Sequence, residues 1–449
     1  MLKSWFSKKL MLPIQDFVTG TKITNDYKLL MDSDYFNLEQ LYSLQFKKLK
    51  LLLNHAYNNF DYYRDLFNKI DLDIENINNL DDIKKIPFLD KQIARDAGEK
   101  LFCSHLNKPS YKYGKTGGTT GIPLFYKKNI RTRSVGWGAY YRWYEWLNLI
   151  PGDSRVSLWG APTVLTNKFS KRFYDHIKSF FSNTLVINSF NINEKTLKLI
   201  VPAIEKKKPK IIHGYLSAIL QLSYYLEKNN INGIRPEVIL PTTETLLPPY
   251  RKYIEKTFSA KVYDQYGCGE CGSIAFECPE QNGLHVAMEH CIIEIINKDS
   301  SGFGDVVVTD LDNLAMPFIR YKNGDRAKLI SEKCECGRSS ERLVSILGRD
   351  IDTIIINNGS KVHGVFFTDI MGEFNFFENR LIKRFQAFQD NPGDLIFKIE
   401  GTRLSEVNHK KLFKTFQKFF NNVEIQYYDF IPSDPSGKFR YVISERLLK

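Results

Sequence analysis

The segment KTGGTTGIP, residues 115–123, sets Gly117, Gly118 and Gly121 among Thr116, Thr119 and Thr120, between two strand-like runs. Glycine lets neighbouring backbone N–H groups converge on anionic oxygens, and threonine hydroxyls add donors or a magnesium contact. The loop therefore suits a polyphosphate. It is not a P-loop, because the Gly-Lys-Ser/Thr ending that reaches the outer phosphates is absent from it. A Gly/Thr-rich turn is also, by itself, simply a turn, so its meaning depends on its surroundings.

Outward from that loop, between about 110 and 330, the runs KIIHG, EVILP, KVYDQY, CIIEII and DVVVTD alternate with helical stretches and turn punctuation. This pattern predicts a mixed α/β architecture. Before it, residues 38–70 carry Leu41, Leu44, Phe46, Leu49, Leu52 and Leu53 near a 3.6-residue period, which predicts packed helix. After it, a break near Gly348 precedes DTIIINN, LIFKIE and VEIQYYDF with helical stretches between them, the pattern of a small α+β unit. The expected domains are 1–347, with a mainly helical opening over 1–110, and a lid over 348–449.

At 449 residues, 43% hydrophobic and 14% aromatic, the composition is globular and large enough for two or three domains. The net charge of +12 favours anionic partners without choosing among nucleotide, CoA, glycan, nucleic acid or membrane. Lys206, Lys207 and Lys208 precede Pro209 as a solvated helix end would, so nucleic acid is not an expected partner. No stretch reaches the roughly 20 apolar residues of a membrane span, and the start lacks a signal-peptide core. A cytoplasmic protein is expected; the basic, amphipathic start leaves weak peripheral membrane contact open beside an ordinary docking helix. Seven cysteines, an odd number, fit a reducing compartment better than a disulfide framework.

TGGTTGIP resembles the phosphate loop of the adenylate-forming superfamily, which includes acyl-CoA synthetases and luciferases. TTETLLPPYRKYIEKTFSAKVYDQYGCGE, residues 242–270, is similar to that family's adenine-cradling segment and Tyr-Gly-x-x-Glu element. The resemblance implies that Tyr266 packs on adenine, that Glu270 helps hold magnesium, and that Thr243, Glu244, Asp264, Gln265 and Gly267 line the nucleotide site. A carboxylate beside a phosphate loop repels a nucleotide unless a cation lies between, which suits magnesium; otherwise Glu270 is a plain surface carboxylate. MPFIRYKNGDRA, residues 316–327, resembles the Arg-Tyr-x-x-Gly-Asp element and implies that Asp325 accepts the ribose hydroxyls. SILGRDIDTIII, residues 345–356, resembles the hinge, with Arg349 toward the ribose; where many relatives carry Asp-Asp, this chain has Ile351 and Asp352. IPSDPSGKFRYVIS, residues 431–444, resembles the closing Gly-Lys element and implies that Lys438 is the catalytic lysine. An ammonium there stabilises the charge that builds as a carboxylate attacks the α-phosphorus.

Cys278 with His285 and Cys334 with Cys336 are two ligand pairs that a tetrahedral zinc would accept, with reduced structural cysteines as the alternative and Cys268 and Cys271 as competing ligands. The phenylacetate–CoA ligase and capsule-cluster (CapK-like) branch resembles this pattern, which implies a structural zinc. HAYNNFDYYRDLF, residues 55–67, and the Pro-x-Leu-x-Lys element within LDDIKKIPFLDKQIARD, residues 80–96, are similar to the same branch. His55 and His213 read as structural histidines, and most aromatics of WGAYYRWYEW as core. The whole implies an α/β enzyme with a large multi-layer N-terminal domain and a small mobile C-terminal domain. It takes ATP, magnesium and a small carboxylic acid to an acyl-adenylate and pyrophosphate, and then transfers the acyl group to CoA, with capsule or surface polysaccharide biosynthesis as a setting. Transfer of acyl or adenylyl to an amine, sugar or carrier thiol is the alternative, as is a non-catalytic nucleotide-binding scaffold. Acid and oligomeric state are not legible.

Overall fold

The computed structural model describes residues 12–103, 111–116, 123–160, 183–189, 192–330, 332–349, 353–374, 381–433 and 439–444. The chain divides into two compact units, Met1–Asp153 with Tyr263–Ile346, and Ser154–Val262 with Leu347–Lys449.

The first unit opens with helices. Leu38–Asn59 starts at a capping box in which the Asn37 side chain accepts from the Gln40 backbone and Gln40 answers, satisfying two N–H groups that the first turn leaves without helical partners. Leu41, Leu49, Leu52 and Leu53 are buried on its inner face; Leu44 and Phe46 are only half-buried, and Gln45 goes inward instead, donating to the Cys291 carbonyl at 2.8 Å. Extended Phe60 breaks the predicted helix before Asp61–Lys69 resumes. These helices cover a seven-stranded sheet ordered Cys291–Ile296, Gly304–Asp310, Tyr321–Ile330, Arg342–Arg349, Leu284–Val286, Gly272–Glu277, Gln265–Cys268. Leu52, Phe60, Tyr63 and Phe67 share one core with Ile274, Val308 and Phe318. A separate hairpin pairs Tyr111–Lys115 with Phe125–Asn129. Helix Ile130–Trp146 buries Trp143, Tyr144 and Trp146, so those aromatics are core, as expected.

The second unit holds a parallel sheet ordered Thr184–Asn188, Arg155–Trp159, Ile211–Tyr215, Val238–Thr242, Lys261–Val262. Every residue of Ile211–Tyr215 is buried, as a central parallel strand requires. The run KVYDQY is not one strand. Lys261–Val262 ends this sheet, and Gln265–Cys268 begins the edge of the other. The C-terminal residues form a four-stranded sheet ordered Asn422–Tyr428, Asp394–Gly401, Ile382–Gln389, Val442–Ser444, with helices Gly364–Gly372 and Glu406–Phe416. Phe367, Phe385, Phe397 and Phe416 fill its centre, and Tyr250 stacks on Tyr441 at 5.5 Å, joining it to the helix Pro248–Phe258 within one core. Lys206 and Lys207 occupy the last turn of helix Glu194–Lys207, where cations meet the carbonyl end of the helix dipole.

Candidate active site

Glu270 sits in the turn between antiparallel strands Gln265–Cys268 and Gly272–Glu277, in which Cys268 is paired with Gly272. Gly272 has φ +81°, and a Cβ on Gly269 would stand 2.9 Å from the Tyr126 hydroxyl. Glycine therefore permits both the reversal and the close approach of Tyr126, which belongs to the hairpin strand following the threonine-rich loop. Burial raises the Tyr126 phenol, and the nearby Glu270 carboxylate adds to that.

Strand Tyr321–Ile330 runs its period-two face past this turn. Tyr321 donates to Glu270 Oε1 at 2.6 Å. Asn323 Nδ2 donates to the Tyr266 hydroxyl at 2.6 Å, and that hydroxyl donates to Asp325 Oδ2 at 2.8 Å. Burial, with Asp325 adding to it, pushes the Tyr266 phenol well above its ordinary range, and burial followed by Glu270 does the same to Tyr321. Both tyrosines are thus neutral donors to carboxylates. Lys91 Nζ lies 3.7 Å from Glu270 Oε1. It comes from the Pro-x-Leu-x-Lys segment, whose Leu89 bridges to Tyr321 in parallel, with Leu89 N donating to the Arg320 carbonyl at 3.0 Å and Lys322 N to the Leu89 carbonyl at 2.8 Å. Tyr140 fixes Gln265 Oε1 at 2.6 Å, and Asp264 turns the chain by accepting from Gln265 N at 2.8 Å while its own N–H donates to Glu277 at 2.8 Å.

The first unit thus gathers Glu270, Tyr266, Asp264, Gln265, Gly267 and Asp325, with Thr116 at the base of the adjoining hairpin, where its hydroxyl accepts from Leu124 N at 2.9 Å. Gly117, Gly118, Thr119, Thr120, Gly121, Ile351, Asp352 and Lys438 lie outside the described residues. Arg349 ends the strand Arg342–Arg349. Thr243, with φ +73°, and Glu244, which accepts from Ser217 at 2.8 Å, belong to the second unit. Tyr321, Lys91, Asn323 and Tyr126 were not singled out from sequence. Tyr321 and Lys91 are the Tyr and Lys of two quoted elements, and that was the available signal. His55 bonds the Leu314 carbonyl at 3.0 Å and Asn59 at 3.1 Å, as a structural histidine does. Burial, with Arg155 nearby, lowers His213 to about 3, so it stays neutral.

Behind the Glu270 turn lies a buried charge network. His290 Nε2 is 3.0 Å from the Cys271 carbonyl and Nδ1 is 3.0 Å from Asp312 Oδ2. Both partners are acceptors, so both nitrogens donate and the ring is an imidazolium. Burial opposes that charge, but Asp310 and Asp312 outweigh it and raise His290. Lys48 completes the network, donating to Asp312 at 2.7 Å and to the Glu289 carbonyl at 2.6 Å, while Arg131 pairs with Asp26 and lies 3.5 Å from Asp312.

Elsewhere in the first unit, ligand atoms of Cys278, His285, Cys334 and Cys336 all lie within 4.8 Å of one another. Cys278 Sγ and Cys334 Sγ are 3.7 Å apart and Cys336 Sγ is 3.2 Å from His285 Nε2. Zinc–thiolate bonds of about 2.3 Å at tetrahedral angles put sulfurs about 3.8 Å apart, so the donor set fits. Ser340 lies 2.9 Å from His285 Nδ1, which turns Nε2 toward the thiols. Cys268 and Cys271 are not part of this group.

A family model described as the CapK C-terminal domain matches residues 354–445. The phenylacetate-coenzyme A ligase of Thermus thermophilus is 26% identical over 337 residues, 71% of this chain and 72% of that protein. The enzyme of the same name from Escherichia coli K12 is 25% identical over 341 residues, 71% and 74% of the two chains. Among solved structures, 2-hydroxyisobutyryl-CoA ligase in the postadenylation state, in complex with 2-HIB-AMP, superposes with a TM-score of 0.76 at 16% identity, covering 92% of this chain and 91% of the other. The fold is that of the adenylate-forming ligases. Within that fold, the chain is similar to phenylacetate–CoA ligases over about 71% of its length, and residues 354–445 match the CapK C-terminal domain. Among the described residues no helix is long and apolar enough to cross a membrane.

Proposed function

We propose that this protein activates a small carboxylic acid with ATP and passes the acyl group to CoA. In the first step a carboxylate oxygen bonds the α-phosphorus as the bond to pyrophosphate breaks; in the second the thiol adds to the acyl carbonyl and AMP leaves. The carrying observation is the set Glu270–Tyr321 and Asn323–Tyr266–Asp325, which brings two elements about fifty residues apart in sequence into one polar cluster beside the threonine hairpin.

In this reading Thr116, Gly117, Gly118, Thr119, Thr120 and Gly121 hold the phosphates, and Tyr266, Gly267, Asp264, Gln265, Thr243 and Glu244 line the nucleotide. Asp325 and Arg349 hold the ribose. Magnesium, when bound, neutralises phosphate charge beside Glu270, and Lys438 stabilises the charge that develops on the α-phosphate. Tyr321 keeps Glu270 pointed and Lys91 balances its charge. Cys278, His285, Cys334 and Cys336 hold a structural zinc. A setting in capsule or surface polysaccharide biosynthesis rests on the sequence resemblance to the capsule-cluster branch, and residues 354–445 match the CapK C-terminal domain.

Pyrophosphate exchange across a panel of carboxylic acids tests the first step. Lys438→Ala is expected to lower exchange by roughly 100- to 1,000-fold, the scale of losing one preorganised transition-state charge partner. Exchange that survives the substitution removes the lysine from that role. Product formation with CoA, and with amine or sugar acceptors in its place, then decides the second step.

A further inference from the structure

We propose that Cys268 and Cys271 are a reversible thiol–disulfide pair that switches the Glu270 turn. The motif reads Cys268-Gly269-Glu270-Cys271, two cysteines enclosing the carboxylate. Neither belongs to the four-ligand group, and both are free thiols.

The geometry is that of a tight reversal. Cys268 closes one strand opposite Gly272, and Cys271 immediately precedes Gly272. Ends of a four-residue turn lie within about 7 Å, and a disulfide spans Cα separations of roughly 4.4–6.8 Å. Cys271 N donates to Cys268 Sγ at 3.4 Å, so the Cys268 sulfur already lies against the Cys271 backbone. Cys268 is partly exposed whereas Cys271 is buried, so a small oxidant meets Cys268 first and Cys271 resolves the product.

With a low-molecular-weight disulfide as oxidant, Cys268 sulfur bonds one sulfur of the reagent and expels the first thiol. Cys271 sulfur then bonds Cys268 and expels the second. Two protein thiols lose two hydrogens and two electrons, and the reagent is reduced to two thiols. The ring so closed contains Glu270. Moving Cys271 outward opposes the bond from His290 to its carbonyl, and turning Glu270 breaks the 2.6 Å bond from Tyr321. The effect on activity rests on the proposed adenylation; the cross-link itself does not.

The test is to incubate the full-length protein with glutathione disulfide, alkylate the remaining thiols and weigh the peptide that carries both cysteines. The expected peptide has lost two hydrogens and takes no alkyl group, and amide hydrogen exchange rises over residues 265–277. Pyrophosphate exchange falls on the order of 100-fold, the scale of misplacing a catalytic group by about 1 Å, and dithiothreitol restores it. Cys268→Ser and Cys271→Ser are each expected to retain exchange under oxidation. A peptide alkylated at both sites, or one stopped at a glutathione adduct on Cys268, overturns the pair. Equal inactivation of wild type and both variants overturns the switch. If no acid supports exchange even when reduced, the adenylation reading fails, while peptide mass and amide exchange still judge this one.

Discussion

Tyr321 reaches Glu270 through a single 2.6 Å bond in a place with little water. Tyr321→Phe keeps the ring and removes the donor, leaving a buried acceptor short of a partner at a cost of about 1–3 kcal/mol. Urea melts are expected to show that loss, with a drop of roughly ten-fold in pyrophosphate exchange, since about 1.4 kcal/mol is a factor of ten. Asp312 carries a pH signature. Its burial works to raise it, but the hydrogen bond from His290 and the charge of Lys48 prevail and hold it at about 2, below its ordinary 3.8. A depressed carboxylate stabilises the fold above its unfolded pKa and stops doing so as pH falls through the folded one. The stability gap between wild type and Asp312→Asn, about 2 kcal/mol near neutrality, is therefore expected to close between about pH 4 and pH 2. Glu270 and Asp325 were legible because each stands in a short contiguous pattern. Tyr321 and Lys91 stand in quoted elements too, but their contacts with Glu270, like those of His290, come from a pairing across the sheet or a bridge from a distant segment, which no local spacing records.

At the scale of elements, the helix over residues 38–59 was readable from its period, and its start is set by Asn37. Asn37→Ala is expected to lower stability by about 1 kcal/mol, measured in the same melts, with little change in activity. The end of that helix was less clear because the aromatic-rich stretch around Phe60 keeps the helical period on both sides of the break. KVYDQY misled for the opposite reason. Val262, Tyr263 and Tyr266 favour strand, yet Asp264 turns the chain through its bonds to Gln265 and Glu277, so one run serves two sheets. The run KIIHG was legible as a strand from Ile211 and Ile212, but its parallel, central placement, with all of Ile211–Tyr215 buried, was not.

For the whole molecule, the four-ligand group joins the segment around Cys278 and His285 to the turn at Cys334 and Cys336. With zinc in that site, Cys334→Ser and Cys336→Ser are each expected to reduce bound metal below one ion per chain by elemental analysis, and chelation is expected to lower the melting temperature by about 1–2 °C for a loss of about 1–2 kcal/mol at this size. Undiminished zinc in both variants rejects the site. The +12 charge is spread over many lysines, and the run near residue 207 lies at a helix end, so bulk charge carried less functional information than the short motifs did.

Lys48 enters the interior from the helical opening and supplies a cation to Asp312, while Gln45 bonds the carbonyl of Cys291. The helix Leu38–Asn59 that carries both residues is therefore part of the core of the first unit. A shortened gene product beginning at the threonine hairpin would strand an acidic centre without that counter-ion, and swapping in the corresponding segment of a relative would succeed only if it brought a lysine to the same place.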